Sequence, residues 1–559
     1  MYLLTELVII TNISRMDFKS ANEREKDTGV KDIKGDIKGN IKGDKEKRTG
    51  EVVKEVRDNG DEYATELDSY NISLDELVLE VKILDVGDYV AHYRVFLPDI
   101  DFVTLALLDE TKRSLVGDIQ LETQNILSPD RFQELKTRFL ERSKEKLSNV
   151  LKKASEEDIS MLSRMIVNDM IGLGDIEYLL ADGYLEEIVV NSSKDVVWAY
   201  HKKHGWLKTN IQIPTEDMIM NYSARIAREV GREITHLEPL LDAHLSTGDR
   251  VNATLFPIST SGNTITIRRF SRTPWTMVHM IDPTFNTITS EAAAFLWLSV
   301  EYELSMLISG GTASGKTSML NALMPFMPAN QRIISMEDTR ELNLPEFLHW
   351  IPLTTRPPNP RGEGEVSMLD LVENSLRMRP DRIVVGEVRR KRETEVLFEA
   401  MHTGHSVYGT FHANRAQEVI DRIMGPPMNI PGLVMSSLPL IVVQHMNRRT
   451  GQRRTFEIAE LVKREGGAPE LNILYMWSAK TDRVEPVSPS IRVKEELELF
   501  TGMDEKEIQE DLKGKQRILE WLLKHDIRSV NDVGKIVTEY YIDKDTVLDL
   551  VEGDKNVNI

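Results

Sequence analysis

A glycine-rich turn between an apolar run and a helical stretch constrains the fold most strongly. The apolar run is Leu304–Ser309, the turn reads GGTASGKT over Gly310–Thr317, and SMLNALMPFM follows. Glycines let backbone N–H groups curl around phosphate oxygens, and a helix that starts there directs the positive end of its dipole at the same anion. The spacing GxxxxGK[ST] between a strand and a helix therefore predicts a phosphate-binding loop.

The loop residues have separate predicted roles at a bound nucleotide. Lys316 reaches the β- and γ-phosphates of ATP, and Thr317 offers its hydroxyl to Mg²⁺. A plain glycine-rich turn is the alternative, but the flanking strand and helix favour nucleotide binding. The residues predicted to contact the nucleotide are Gly310, Gly311, Thr312, Ala313, Ser314, Gly315, Lys316, Thr317 and Ser318.

Two glutamates follow apolar runs further along the chain. Glu337 comes directly after Arg332–Met336, and Glu387 follows Arg382–Val385 and one glycine. In open parallel sheets ligands bind at the carboxyl ends of the strands, so we expect both glutamates to lie near Lys316. One carboxylate would hold water on Mg²⁺ and the other would orient the attacking water. The spacing alone leaves open which glutamate does which.

Histidines and arginines are frequent around these glutamates. His405 and His412 lie in TGHSVYGTFHA, and a neutral imidazole near the γ-phosphate could donate a hydrogen bond to it and act as a sensor. A core histidine or a zinc site is the alternative, and zinc has no cysteine to support it. A guanidinium can stabilise a transferring phosphoryl group from the same or a neighbouring subunit. The arginines in this region are Arg340, Arg356, Arg377, Arg379, Arg389 and Arg390.

Charge and cysteine content exclude several classes of protein. The 559 residues include 70 Lys and Arg against 90 Asp and Glu, a net charge of −20, and no cysteine. Affinity for nucleic acid comes mainly from Lys and Arg on phosphates, so this balance argues against a protein that coats DNA or RNA. Without cysteine there are no disulfides or thiolate zinc sites. No run of about 20 apolar residues is present, so we expect any membrane role to be peripheral.

Composition and periodicity divide the chain into six segments. The charged, glycine-containing repeat at Asp32–Gly43 predicts a disordered tether. Short apolar strands that alternate with helices predict a parallel α/β core in the second half. The segments are an N-terminal segment at 1–16, the tether at 17–65, an α+β domain at 66–270, a linker or hinge at 271–290, the α/β domain at 291–490 and a helical bundle at 491–559.

Local patterns give the elements of the α+β domain. A helical period of apolar residues predicts helices at 131–152 and 156–173. Alternation of apolar and polar residues predicts strands at 187–190, 196–200, 250–257 and 264–270. The domain is therefore predicted to combine a sheet with helices, with a division into two subdomains left open.

Four segments in order resemble the motifs of the secretion-superfamily ATPases of type II and type IV systems. GGTASGKT, SMEDTREL, SLRMRPDRIVVGEVRR and TGHSVYGTFHA are similar to the Walker A, Asp-box, Walker B and His-box motifs of that family. The resemblance covers roughly residue 175 to the C-terminus. RPPNP at Arg356–Pro360 resembles the archaeal branch, and MHTGHSVYGT is more similar to pilus-assembly ATPases than to the archaellum motor.

The resemblance implies a RecA-like P-loop NTPase core that uses Mg-ATP, in a hexameric ring with a mobile N-terminal domain on each subunit. Glu337 would be the catalytic glutamate, with Lys316 at the phosphates. Glu387 would be the Walker B acid near Mg²⁺, and His405 and His412 would form the His-box pair. The four-cysteine zinc insertion of many bacterial members has no counterpart here.

The resemblance also implies partners and further arginines. Arg250 in DRVNATLF and Arg268 in TITIRRF match N-terminal-domain arginines that approach the nucleotide in the family. The linker would then act as a hinge between ATP-bound and ATP-free states. The implied partners are an integral membrane platform protein and, indirectly, pilin-like subunits. The implied location is the cytoplasm, at the inner face of the cell membrane.

Other functions stay open from the sequence. One is an archaellum motor, and another is a nucleic-acid translocase or conjugation-type motor, supported by basic residues at 388–392, 448–449 and 453–454. A solvated or ring-facing basic patch explains the same residues and fits the net charge better. A nucleotide-gated scaffold without hydrolysis is disfavoured by the intact Lys316, Glu337 and Glu387.

Overall fold

The structure, a computed structural model, describes residues 64–74, 77–97, 100–118, 129–245, 248–269, 274–358, 362–462 and 469–554. The chain divides into two compact units, Met1–Arg269 and Phe270–Ile559. The predicted N-terminal segment and nearly all of the predicted tether lie outside the described residues. Among the residues described, no helix has both the length and the apolar character needed to cross a bilayer.

The first unit combines a mixed sheet with helices. Its strands are β1 Thr65–Leu74, β2 Leu77–Asp85, β3 His92–Val95, β4 Leu185–Val190, β5 Val196–His201, β6 Gly205–Gln212, β7 Leu240–His244, β8 Arg250–Thr254 and β9 Thr264–Arg268. They lie in the order β1-β2-β3-β6-β5-β4-β9-β8-β7. Its helices are α1 Phe102–Asp118, α2 Pro129–Val150, α3 Glu156–Met170, α4 Ile176–Ala181 and α5 Glu216–Glu229. The helices and strands predicted from periodicity are present, with ends shifted by a few residues.

The second unit is built on a sheet that is parallel at its centre. Its strands are β10 Met306–Gly310, β11 Arg332–Glu337, β12 His349–Thr354, β13 Arg382–Val385, β14 Ser406–Phe411, β15 Leu440–Met446, β16 Arg453–Val462, β17 Glu470–Ser478 and β18 Arg483–Pro486. They lie in the order β12-β11-β13-β14-β10-β15-β16-β17-β18. Strands β12 to β15 of that order are parallel, and the last three pair antiparallel. This is the RecA-like arrangement that the resemblance implies.

Helices cover both faces of this sheet. The central strands are apolar along their whole length because alternate residues enter different cores. Met306 and Ile308 of β10 pack into one core, and Leu307 between them packs into the other. The helices are α6 Met277–Ile281, α7 Ser290–Glu301, α8 Lys316–Leu323, α9 Met368–Ser375, α10 Lys391–His402, α11 Ala416–Met424, α12 Gly432–Met435, α13 Arg492–Thr501, α14 Glu505–Lys524, α15 Val530–Ile542 and α16 Lys544–Glu552.

The structure differs from the linker that the sequence predicts at 271–290. Helix α6 lies inside that range, and its residues Met277, Val278 and Met280 are buried in the core of the second unit. Two prolines, Pro274 and Pro283, interrupt the pattern around it. A five-residue helix is shorter than the window over which a helical period can be recognised, so the sequence suggests a linker instead.

The C-terminal helices were expected to form a bundle at 491–559, and they pack into the core of the second unit. The indole N–H of Trp297 on α7 donates to the hydroxyl of Tyr541 on α15 at 2.7 Å. The ring of Trp297 stacks on Phe326, with centroids 5.0 Å apart. These helices and one face of the parallel sheet therefore share a single hydrophobic core.

A buried lysine stabilises this packing. The Lys515 side chain on α14 is 0% exposed, and its Nζ lies 2.7 Å from a carboxylate oxygen of Glu301 and also contacts Asp511. The hydroxyl of Tyr540 donates to Asp511 at 2.6 Å, and Nζ of Lys515 lies 4.8 Å from the centre of the Tyr540 ring. One cation thus links α7, α14 and α15 in a place without water contact.

Replacement of this lysine should destabilise the protein strongly. Lys515→Ala leaves Glu301 buried without its cation and leaves Asp511 with Lys544 alone, which costs about 3–5 kcal/mol. Lys513→Ala, on an exposed position of the same helix, should change stability by about 0.5 kcal/mol or less. Chemical denaturation of the two variants measures the difference, and equal effects would contradict the assigned role of Lys515.

Candidate functional site

The predicted phosphate-binding loop joins β10 to α8. Gly310 ends the strand with φ 153°, and a Cβ there would lie 2.4 Å from the carbonyl oxygen of Gln444 and from the hydroxyl of Ser314. Gly315 has φ 92° directly before the helix. Both glycines are therefore required by the backbone path, as the motif predicts.

The lysine of the loop lies where a phosphate would need it. Lys316 is the first residue of α8 and is 9% exposed. Its Nζ donates to the carbonyl oxygen of Gly311 at 2.9 Å, and the hydroxyl of Ser314 donates to the same oxygen at 2.8 Å. The ammonium group thus points into the loop, next to the first turn of the helix.

The other loop residues lie on its outer side and in the first turn. Thr317 is half-buried, whereas Thr312, Ala313 and Ser318 are exposed. Ala313 has a left-handed φ of 60°, and its carbonyl oxygen accepts a hydrogen bond at 3.0 Å from Nε of Arg453 on β16. Arg453 therefore supports the strained residue of the loop.

Glu337 is a buried carboxylate at the end of β11. It is 2% exposed, and its Oε1 accepts the N–H groups of Glu341 at 2.9 Å and Leu342 at 3.1 Å. Its Oε2 is buried and has no hydrogen-bond partner among the described residues. Burial raises the pKa of Glu337 to about 7; the charge of Glu341 adds to this, and the two N–H groups and Arg340 oppose it. Near neutral pH this carboxyl can both accept and hold a proton.

Glu387 lies beside Glu337, at the end of β13. A Cβ on Gly386 would be 3.2 Å from Cγ of Glu337, and the N–H of Gly386 donates to Met336 O at 2.8 Å. A side chain at position 386 would therefore crowd Glu337, which packs over this glycine. Strand pairing brings together two residues that are 50 positions apart in the sequence.

Basic side chains surround Glu387. Arg389 donates to its Oε2 at 2.7 Å, and Nε2 of His412 lies 3.5 Å from its Oε1. Burial acts to raise the pKa of Glu387, but Arg389, with His412 and Lys316, outweighs burial and lowers that pKa. Burial and the charge of Lys316 lower the pKa of His412, so its imidazole is neutral near pH 7. Lys316, Glu337, Glu387 and His412 therefore meet at one edge of the sheet.

Two predicted residues lie away from this edge within the chain. His405 precedes β14 and His412 follows it, and a six-residue strand separates its ends by about 20 Å. Nδ1 of His405 lies 3.2 Å from the carbonyl oxygen of Ala400. Arg377 precedes β13 and is exposed at the same far edge. The structure therefore does not bring His405 or Arg377 to the carboxylates.

The remaining predicted arginines have other surroundings. Arg340 is exposed and stacks over the ring of Trp350 at 4.9 Å, close enough to Glu337 to lower its pKa. Arg250 and Arg268 belong to the first unit and are directly opposite each other on β8 and β9. Arg250 pairs with Asp242 at 3.0 Å. Their predicted approach to the nucleotide stays a prediction.

Most of the chain matches a known protein family. Residues 170–535 match the family described as type II/IV secretion system protein, which is more than half of the chain. The chain belongs to this family. With its RecA-like core and ordered loop motifs, this secretion-system protein is a P-loop ATPase.

Individual relatives share long stretches of sequence with this family member. The uncharacterized protein MJ0900 of Methanocaldococcus jannaschii is 34% identical over 400 residues, 70% of this chain and 71% of that protein. A Mycobacterium tuberculosis protein named for conjugal transfer is 34% identical over 330 residues, 56% of this chain and 91% of that one. The crystal structure of the VirB11 ATPase of Brucella suis with sulphate is 23% identical, covers 51% of this chain and 91% of that one, and has a TM-score of 0.27.

Sequence reasoning did not single out two arginines that lie at this edge of the sheet. Arg389 was one of six arginines that the sequence could not rank, although it lies only two residues after Glu387. Arg453 was considered only as part of a basic patch for nucleic acid. Its role at the loop depends on β16 pairing beside β15, which no local pattern reveals.

The raised pKa of Glu337 predicts a stability effect that depends on pH. The pKa of Glu337 is higher in the folded protein than in the unfolded chain, so folding favours the protonated carboxyl. The free energy of unfolding that this carboxyl contributes is therefore lost as pH rises toward about 7. Glu337→Gln should therefore be more stable than the wild type at pH 8 by about 2–3 kcal/mol, and the gain should shrink toward pH 5. Denaturation at both pH values measures it.

A matched substitution controls for general charge effects. Glu346→Gln removes a negative charge from an exposed position in the segment between β11 and β12. It should change stability by about 0.5 kcal/mol or less at either pH. A gain in Glu337→Gln that is the same at pH 5 and pH 8 would contradict burial as the cause of the raised pKa.

Proposed function

We propose that this edge of the sheet hydrolyses ATP and that the chain is the motor subunit of a secretion or pilus-assembly system. The observation that carries the proposal is the meeting of Lys316, Glu337 and Glu387 at the carboxyl ends of three parallel strands. The loop and the first turn of α8 would hold the phosphates through N–H groups, with Lys316 as the counter-charge.

The residue types at the site fit Mg²⁺. This cation takes one or two protein oxygens and completes its shell with water and phosphate. Thr317 would supply a hydroxyl and Glu387 a carboxylate oxygen, in the roles that the family resemblance implies. When bound, Mg²⁺ would neutralise charge on the phosphates.

Glu337 is proposed as the general base. Its Oε2 is buried and has no hydrogen-bond partner in the described part of the chain, so it can accept a proton from a water placed between the two acids. A pKa near 7 matches that task, since the ionised base and the protonated product are then both accessible at neutral pH. His412, neutral and beside Glu387, would donate to the γ-phosphate and sense its presence.

The larger assembly is also proposed. Six chains would form a homo-oligomeric ring in the cytoplasm, at the inner face of the membrane, against an integral membrane platform protein. The four candidate arginines, Arg250, Arg268, Arg340 and Arg377, would then approach a nucleotide from the first unit or a neighbouring chain. Arg377 and His405 are far from the carboxylates of their own chain, so they would act at the nucleotide of the next subunit. Movement of the first unit would pass to pilin-like subunits through the platform.

Other motors of the same family are the second candidates. An archaellum motor would use the same site, and the relative named for conjugal transfer raises a motor that acts on nucleic acid. Two residues of the basic patch are already engaged: Arg454 pairs with Asp482 at 2.7 Å and Arg453 contacts the loop. Together with the net charge of −20, this favours the protein-assembly role.

Two substitutions test the hydrolysis site. Lys316→Ala removes charge-assisted contacts of about 1.5–3 kcal/mol, so ATP should bind about ten- to one-hundred-fold more weakly and turnover should be lost. Glu337→Gln should keep ATP affinity near that of the wild type and lower kcat by about 10²- to 10⁴-fold. Nucleotide titration and phosphate release measure the two effects. Undiminished hydrolysis in Lys316→Ala, or equal loss of binding and hydrolysis in Glu337→Gln, would contradict the assigned roles.

The ring has its own test. Sedimentation of the Glu337→Gln protein with saturating ATP should give a particle six times the 63.9 kDa chain. A monomer under those conditions would contradict the ring. Wild-type turnover that rises with added DNA, and loses this response between about 50 and 200 mM salt, would support the nucleic-acid motor instead.

A further inference from the structure

Arg389 bridges two carboxylates at the site. Its Nη2 donates to Oε2 of Glu387 at 2.7 Å, and its Nη1 donates to Oδ2 of Asp338 at 2.9 Å. Asp338 directly follows the buried Glu337 and accepts the hydroxyl of Thr355 through its other oxygen at 3.1 Å. One guanidinium therefore joins the segment after β11 to the segment after β13.

The backbone around Arg389 is held independently of its side chain. The N–H groups of Arg389 and Arg390 donate to one carboxylate oxygen of Glu393, at 3.4 and 3.0 Å. The N–H of Val388 donates to the carbonyl oxygen of Thr410 at 2.9 Å. The Arg389 side chain is 55% exposed, whereas that of Glu387 is 22% exposed. The guanidinium can therefore turn toward solvent while the loop stays in place.

We propose that Arg389 is an exchangeable counter-ion that occupies Glu387 until a divalent cation arrives with the nucleotide. The inference rests on the proposed function, because it takes Glu387 as the acid that faces Mg²⁺. Asp338 and Glu387 both contact the Arg389 guanidinium, and ionised carboxylates so placed repel each other. The guanidinium balances both charges in the nucleotide-free subunit.

The exchange keeps every charged group paired. Arg389 gives up the Oε2 of Glu387 and stays on Asp338, so neither the guanidinium nor Asp338 loses its last partner. Glu387 is then released to the cation, on the side away from His412. Because Arg389 and a divalent cation repel each other and compete for the same carboxylate, the arginine opposes cation binding. Glu387 is thereby protected from free cations and accepts one that comes with nucleotide.

A fixed structural ion pair predicts the opposite result. If Arg389 only held Glu387 in position for the cation, its loss would weaken the cation's contribution to nucleotide binding. If it is a competing counter-ion, its loss should strengthen that contribution. The sign of the change therefore separates the two roles.

The test measures how much Mg²⁺ improves ADP binding. The ratio of the ADP dissociation constants in EDTA and in Mg²⁺ is determined for the wild type, Arg389→Gln and Arg392→Gln, with a fluorescent ADP analogue. Arg392 lies one turn into the same segment, is exposed and pairs with Glu395 at 3.2 Å, so it controls for the loss of one positive charge. Arg389→Lys, which keeps the charge without the fork, replaces Arg389→Gln if the latter does not fold.

We expect the ratio of the ADP dissociation constants in EDTA and in Mg²⁺ to be at least about threefold higher in Arg389→Gln than in the wild type, because the cation no longer competes with the guanidinium. Arg392→Gln should give the wild-type ratio. Arg389→Lys should give a ratio between those of the wild type and Arg389→Gln. An unchanged or lower ratio in Arg389→Gln, or the same rise in Arg392→Gln, would overturn the proposal. A wild-type protein that binds no ADP with or without Mg²⁺ would instead contradict the proposed function.

Discussion

The parallel pairing of β11, β13 and β10 around β14 is the constraint on which the rest of the site depends. Parallel strands end at the same edge, so their pairing brings together residues that are far apart in the chain. Lys316, Glu337 and Glu387 follow three of these strands. The strands can be parallel only because both faces are covered by helices, which in turn requires the continuous apolar runs seen in the sequence.

Charge at this edge is balanced before any ligand binds. Lys316, Arg389 and the neutral His412 face Glu387, while Glu337 is buried and keeps a proton up to about pH 7. The two acids differ in pKa because their surroundings differ: one has a guanidinium and the other has mainly apolar burial. Neighbouring carboxyls with different pKa values are suited to different roles: one can bind a cation, and the other can accept and release a proton.

Sequence reasoning predicted a loop between a strand and a helix, two acids at the ends of strands and a parallel α/β core, because each has a signal within a short window. The glycines of the loop are dictated by a local backbone path, and each glutamate follows an apolar strand. It did not distinguish which of His405 and His412 lies near the carboxylates, since the two histidines flank the same strand and only the direction of that strand separates them. The sequence could not show that a helix within 271–290 and the C-terminal helices are buried in the core of the second unit. Their burial depends on distant partners such as Trp297, and no local pattern carries that information.

The shared core of the C-terminal helices has a practical consequence for dissecting the protein. Tyr541 and Lys515 complete the packing of α7, the helix that leads into the nucleotide-binding strand. A fragment cut after β18 would leave Trp297 facing water and Glu301 without its ammonium partner. Any excised catalytic portion should therefore begin before α6 and continue through α16.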